Sequence, residues 1–181
     1  MLKRALYLAA AAAVAVPAFF SPPPALADAA TPATGRTMAE FRGRMTAYKD
    51  YTLNCAGCHR VDGSGTPGYS SQIPDLRNSL GSFTRTRAGR DYLIRVPGSV
   101  DSLLSNGELA NVLNYMVARF DPDLAGPDFK PFTANEIGAV RRPYEDVRQA
   151  RMEVAQALAE EGYPTAEYRF GENDLSTPDA Q

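Results

Sequence analysis

Five consecutive residues, Cys55-Ala56-Gly57-Cys58-His59, contain every cysteine and the sole histidine of this 181-residue chain. That concentration restricts what the chain can fold around more than any other feature. A disulfide between positions so close in sequence closes too short a loop to stabilise much. A structural zinc site needs a fourth ligand of Cys or His type, and none remains. A redox dithiol of the thioredoxin kind needs strand–helix–strand context, and no strand-like alternation is visible anywhere in the chain. The pentapeptide therefore reads as chemical rather than structural.

The pattern around it is helical. Met38, Phe41, Met45 and Tyr48 recur at spacings of three and four, which predicts a helix with those four on its apolar face, running directly into the cysteines. Asp62-Gly63-Ser64-Gly65-Thr66-Pro67-Gly68 is dense in turn formers. Nothing periodic returns until about Asp91, where Tyr92, Leu93 and Ile94 predict a short helix ended by Pro97-Gly98. So long a structureless stretch in a compact domain implies that something other than its own packing organises it. Ser105-Asn106-Gly107-Glu108 is a capping box opening a helix whose apolar stripe is Leu109, Val112, Leu113, Met116, Val117 and Phe120. Asp121-Pro122 ends it. Thr133-Ala134-Asn135-Glu136 is a second capping box, predicting a short helix to about Arg141. Tyr144 to Glu161 predicts another, carrying Val147, Met152, Val154, Ala155 and Leu158 and stopped by Gly162 and Pro164.

The N-terminus has the layout of a secretory signal. Lys3 and Arg4 precede an apolar run from Ala5 to Phe20, then a Pro-rich break and the small-residue pattern Ala25-Leu26-Ala27. The alternative is a retained anchor, for which the Ala-rich run is marginal in length. Cleavage after Ala27 removes two bases and no acid from a chain of formal net charge -2, leaving a mildly acidic product. No basic surface points to nucleic acid. Hydrophobic residues make up 44% and charged residues 22%, the balance of a soluble globular protein with no membrane span once the leader is removed.

An exported chain is the right setting for one chemistry in particular. Two thiols three positions apart can add to the two vinyl groups of one haem, and a histidine directly after the second falls under the iron and ligates it through a ring nitrogen. Cys55 and Cys58 are thus the covalent anchors and His59 the proximal ligand of a single haem c. With these residues in place the chain resembles the class I, mono-haem c-type cytochromes over about Met38 to Phe120. The resemblance rests on the helix running into the Cys motif, on Ile73-Pro74-Asp75-Leu76, similar to the family's Pro-x-Leu segment, and on the helix Glu108 to Met116, with Tyr115 as the aromatic packed on the first helix. It implies an all-α fold around one covalent haem, here with a C-terminal helical extension. It also implies that the Pro74 carbonyl accepts a hydrogen bond from His59 and holds its orientation. The expected organisation is a signal peptide (1–27), a flexible lead-in (28–37), a cytochrome domain (38–122), a helical extension (123–162) and a disordered tail (163–181).

The family's second axial ligand is usually a methionine on the loop before the last helix. That loop, Val96 to Leu104, contains none. Met116 is the nearest candidate in sequence. Met38, Met45 and Met152 are others, and an open iron site is the remaining option. The expected function is a periplasmic electron carrier, not an enzyme, between a dehydrogenase donor and a cytochrome or oxidase acceptor. The alternatives are an open-site haem protein that senses a small ligand or acts on peroxide, and a haem subunit of a larger redox complex, which the extension motivates. Arg85, Arg87, Arg90 and Arg95 are placed where haem propionates could be met, with ordinary surface charge as the plainer reading.

Overall fold

The computed structural model describes residues 37–69, 73–77 and 79–166. The signal peptide, nearly all of the lead-in and most of the tail lie outside them. The described residues form eight helices and no strand, so the fold is all-α as expected: α1 (Met38–Asn54), α2 (Ala56–His59), α3 (Leu80–Phe83), α4 (Arg87–Arg95), α5 (Asn106–Phe120), α6 (Pro122–Ala125), α7 (Ala134–Val140) and α8 (Val147–Glu160).

α5 is the axis of the molecule. Its Ser105–Glu108 capping box is complete, with the serine hydroxyl accepting from the Glu108 amide and the Glu108 carboxylate accepting from the Ser105 amide. All six residues of its predicted stripe are buried. Burying side chains of that size contributes roughly 1.5–3 kcal/mol each relative to exposure. One side of α5 meets α1, the other α7, and its C-terminal end meets α6.

α1 forms where predicted and has its own capping box, Thr37 with Glu40. Its expected apolar face is the wrong one. Met38, Phe41, Met45 and Tyr48 are exposed, while Ala47 and Tyr51 are buried against α5. Ala47 and Tyr51 lie one turn apart on a face turned roughly 120° from the predicted one, and Tyr48, at the boundary, still meets the Tyr115 ring edge-on at 6.0 Å. The small Ala47 lets the backbones approach, and the Tyr51 ring fills the gap between Tyr115 and Phe120, at centroid distances of 5.7 and 5.3 Å.

The stretch between the Cys motif and Asp91 is more ordered than its composition implied. It contains α3, and α4 starts at Arg87, capped by Thr86. Leu80 to Thr84 are all buried. Gly81 is required there, because a Cβ would meet the Asp121 carbonyl oxygen at 2.6 Å.

The extension packs on the domain rather than standing apart from it. Ile137 and Leu158 are fully buried, and Phe132, Val140, Ala150 and Val154 join the same core. Thr133 caps α7, but the Glu136 carboxylate goes to Arg90 instead of closing the box. Met152, predicted on the apolar side of α8, is exposed, and the buried positions are Ala150, Arg151, Val154 and Leu158. Tyr163 packs against the core at the far end.

Candidate haem site

α1 ends in the site. Cys55 is at once its C-cap and the N-cap of the single turn α2. The amides of Cys58 and His59 both donate to the Cys55 carbonyl, at 3.2 and 2.9 Å. That turn brings Cys55, Cys58 and His59 together, the arrangement the spacing predicted.

The three carbonyls that leave this turn are all satisfied by the chain itself. The Thr66 hydroxyl donates to Cys58 O at 2.6 Å, the Gly65 amide to His59 O at 3.2 Å, and the Tyr51 hydroxyl to Arg60 O at 2.6 Å. The turn-rich loop is thereby sewn to the motif. Gly65, at φ +75, brings it against Ile73 and Pro74 so closely that a Cβ would meet the Ile73 carbonyl oxygen at 2.5 Å. Arg60 is the non-glycine residue at positive φ among the described residues, at φ 63 and ψ 162. That region is nearly exclusive to glycine and costs of order 1–3 kcal/mol. The strain sits directly after the candidate iron ligand.

The electrostatics suit a metal-binding imidazole. Burial lowers the pKa of His59, and the Pro74 backbone carbonyl opposes that fall. The ring is therefore neutral at neutral pH, the form that ligates metal. Nδ1 is buried with no hydrogen-bond partner among the described residues: Pro74 acts on the ring but does not complete a bond. A neutral imidazole that ligates through Nε2 carries its proton on Nδ1, and Pro74 is the acceptor beside it. Cys55 is half-buried and Cys58 exposed, both as free thiols. Burial, and secondarily Cys58, push the Cys55 thiol up to about 11, so it stays protonated at neutral pH. Two thiols and a neutral, part-desolvated imidazole on one turn fit a covalent haem. Among the described residues no group of three or more His, Cys, Asp or Glu side chains, this trio included, is placed to hold a metal ion by itself.

Met116 lies on α5, buried in the core. Met38, Met45 and Met152 are exposed at 67%, 52% and 56%. The four arginines have partners elsewhere. Arg85 donates to the Leu124 carbonyl, Arg87 pairs with Asp91, Arg90 forms a two-bond pair with Glu136, and Arg95 donates to the carbonyls of Arg142 and Pro143. Arg95 also stacks on Tyr144, and Arg90 on Phe132, at 3.7 and 3.9 Å. Arg85, Arg90 and Arg95 thus bind the extension, and Arg87 pairs within α4. Tyr51 and Thr66 are the functional residues that sequence reasoning passed over. Tyr51 carries a usable signal in its position, one helical turn before Cys55, while nothing in the sequence singles out Thr66.

This is the arrangement of a single-haem attachment site on a helical domain. The profile of the Cytochrome c family matches residues 42–119. Cytochrome c-552 of Thermus thermophilus is 30% identical over 105 residues, covering 48% of this chain and 78% of that protein. A second Thermus thermophilus cytochrome c-552 is 30% identical over the same length, with 69% of it covered. The chain belongs to the cytochrome c family, whose members carry covalently bound haem c and transfer electrons.

Proposed function

We propose that this chain is a periplasmic mono-haem electron carrier, taking single electrons from a dehydrogenase and passing them to a downstream cytochrome or oxidase. The observation that carries the reading is the turn from Cys55 to His59, with both thiols and a neutral imidazole on one rigid support. Haem bound there supplies a one-electron couple, and the protein's part is to hold it, desolvate it and orient His59. The Lys3-Arg4 start, the apolar run and the small-residue pattern ending at Ala27 support export. No helix among the described residues is long and apolar enough to cross a membrane. Partner docking needs only the small interface typical of transient redox complexes.

Met116 is our choice for the second axial ligand, because the other methionines of the described residues are exposed. The absence of methionine from Val96 to Leu104 favours a second reading, an iron site open to small ligands. The ferric spectrum and carbon monoxide titration of the reduced protein separate the two. A sulfur-to-iron charge-transfer band with slow, incomplete carbon monoxide binding supports the carrier. Fast stoichiometric binding without that band supports the open site.

A further inference from the structure

α1 carries a second apolar strip, apart from the Ala47–Tyr51 side that packs on α5, and this one is open to solvent. Met38, Phe41, Met45 and Tyr48 are exposed, although Tyr48 also reaches Tyr115, and Leu53 beyond them is 71% exposed. With the half-buried Thr52, the first four are spaced three, four, three and four. At about 100° per residue that spacing keeps all five within one narrow strip over about four turns. It is the seam along which two helices pack side chain into gap. A helix whose outer side meets only water has no need of such a seam, and its outer positions are ordinarily polar.

The edges of the strip are basic. Arg42 and Lys49 run along one side and Arg44 along the other, each about 60–80° from its centre. All three are exposed, and none joins an ion pair among the described residues. The acids of the helix, Glu40 and Asp50, lie more than about 100° away, and the Glu40 carboxylate already accepts from the Thr37 amide. This basic rim stands on a chain whose formal net charge is -2. The charges decide between occupants. A second copy of α1 would set Arg44 against a second Lys49 if parallel, and Arg42 against a second Lys49 if antiparallel, so like charges would meet in both registers. An anionic bilayer would suit the bases but asks for a broad apolar face, not a narrow seam. A helix with carboxylates flanking its own apolar seam answers both features.

We propose that the outer face of α1 is a docking surface for an acidic amphipathic helix of another protein, with Phe41, Met45 and Tyr48 as the apolar contacts and Arg42, Arg44 and Lys49 as the pairing rim. Five side chains make a small interface, the size of transient rather than permanent complexes. The surface is read from α1 alone, so it stands or falls separately from the haem reading, which the pyridine haemochrome tests. The experiment is site-specific photo-crosslinking of the full-length chain in the cell that makes it. A photoreactive amino acid is placed at Phe41 or at Met45. Met152 is the control position, comparably exposed but on α8, which does not touch α1. Positions 41 and 45 should capture the same protein and position 152 should not. Mass spectrometry of the joined peptide should show a segment with apolar residues three and four apart and Asp or Glu beside them. The triple substitution Arg42→Gln, Arg44→Gln, Lys49→Gln should cut the crosslinked yield at least about fivefold while leaving the melting temperature and haem content unchanged. Capture of a segment without flanking acids overturns the proposal, as does a yield indifferent to the triple substitution. A crosslink to α1 of a second copy, to residues 1–36 of this chain or to lipid overturns it in favour of that occupant. No crosslink specific to positions 41 and 45 leaves the face without a partner and overturns it outright.

Discussion

The Tyr51 hydroxyl donates a 2.6 Å hydrogen bond to the carbonyl of Arg60, so the helix that leads into the haem site also holds the strained residue that leaves it. Arg60 at φ 63 would not be retained in that conformation without support on both sides, and its own amide supplies the second tie, to Ala56 O. Tyr51→Phe should therefore destabilise the holoprotein by about 0.5–1.5 kcal/mol, because the carbonyl loses its phenol donor and keeps only the Gly63 amide at 3.2 Å. Arg60→Gly should be neutral or stabilising, since relief of about 1–3 kcal/mol of strain exceeds the roughly 0.5–1 kcal/mol of added chain entropy. Arg60→Ala keeps the strain and should not stabilise. Denaturant melts of the three variants check the pattern.

The two faces of α1 should respond in opposite ways. Phe41→Gln and Met45→Lys alter exposed side chains and should change stability by less than about 0.5 kcal/mol. Ala47→Leu adds bulk where α1 meets α5 and should cost about 1–3 kcal/mol or more. Thermal melts of the three proteins test this, and equal losses on both faces would place the buried face wrongly.

Gly81 is a close-approach glycine with no positive φ to explain it. An added Cβ would meet backbone atoms of Asp121 and Leu124 at 2.6 and 2.8 Å, and backbone cannot rotate aside as a side chain can. The Gly81 amide also donates to the Asp121 carboxylate at 2.8 Å. Gly81→Ala should cost more than about 2 kcal/mol and lower the yield of folded holoprotein, as measured by urea unfolding.

Acid should loosen the extension. The Glu136 pKa is lowered chiefly by its hydrogen bonds to Arg90. A depressed folded pKa means the contribution is fully present above the ordinary glutamate value near 4.5 and is lost as pH falls through the lower folded value. Glu136→Gln should cost about 1 kcal/mol at neutral pH. The gap between it and the unaltered protein should close below about pH 4.5 in a pH series of melts.

Much of this was legible because the strongest signals are local. Ser105 to Glu108 and the stripe on α5 name a capped, buried helix without reference to any neighbour, and Cys55 to His59 name their own chemistry. α1 was misread because periodicity finds an apolar face but not which face is covered. Met38, Phe41, Met45 and Tyr48 are larger than Ala47, and the deciding fact is that α5 needs a small residue for close approach. Arg90 and Arg95 could not be assigned from spacing, because their partners, Glu136 and the Arg142 and Pro143 carbonyls, lie some 46 to 48 residues away. α3 carries no period in four residues and is held by Asp121 and α6, so nothing local announces it.

The central claim is that Cys55 and Cys58 bind one haem covalently above a neutral His59. The most direct measurement is a pyridine haemochrome of the purified exported protein after acid–acetone extraction. The haem should stay with the polypeptide, one per chain, with the absorption band of a haem whose two vinyl groups have become thioethers. Haem released into the organic phase, or a band from intact vinyl groups, would contradict it.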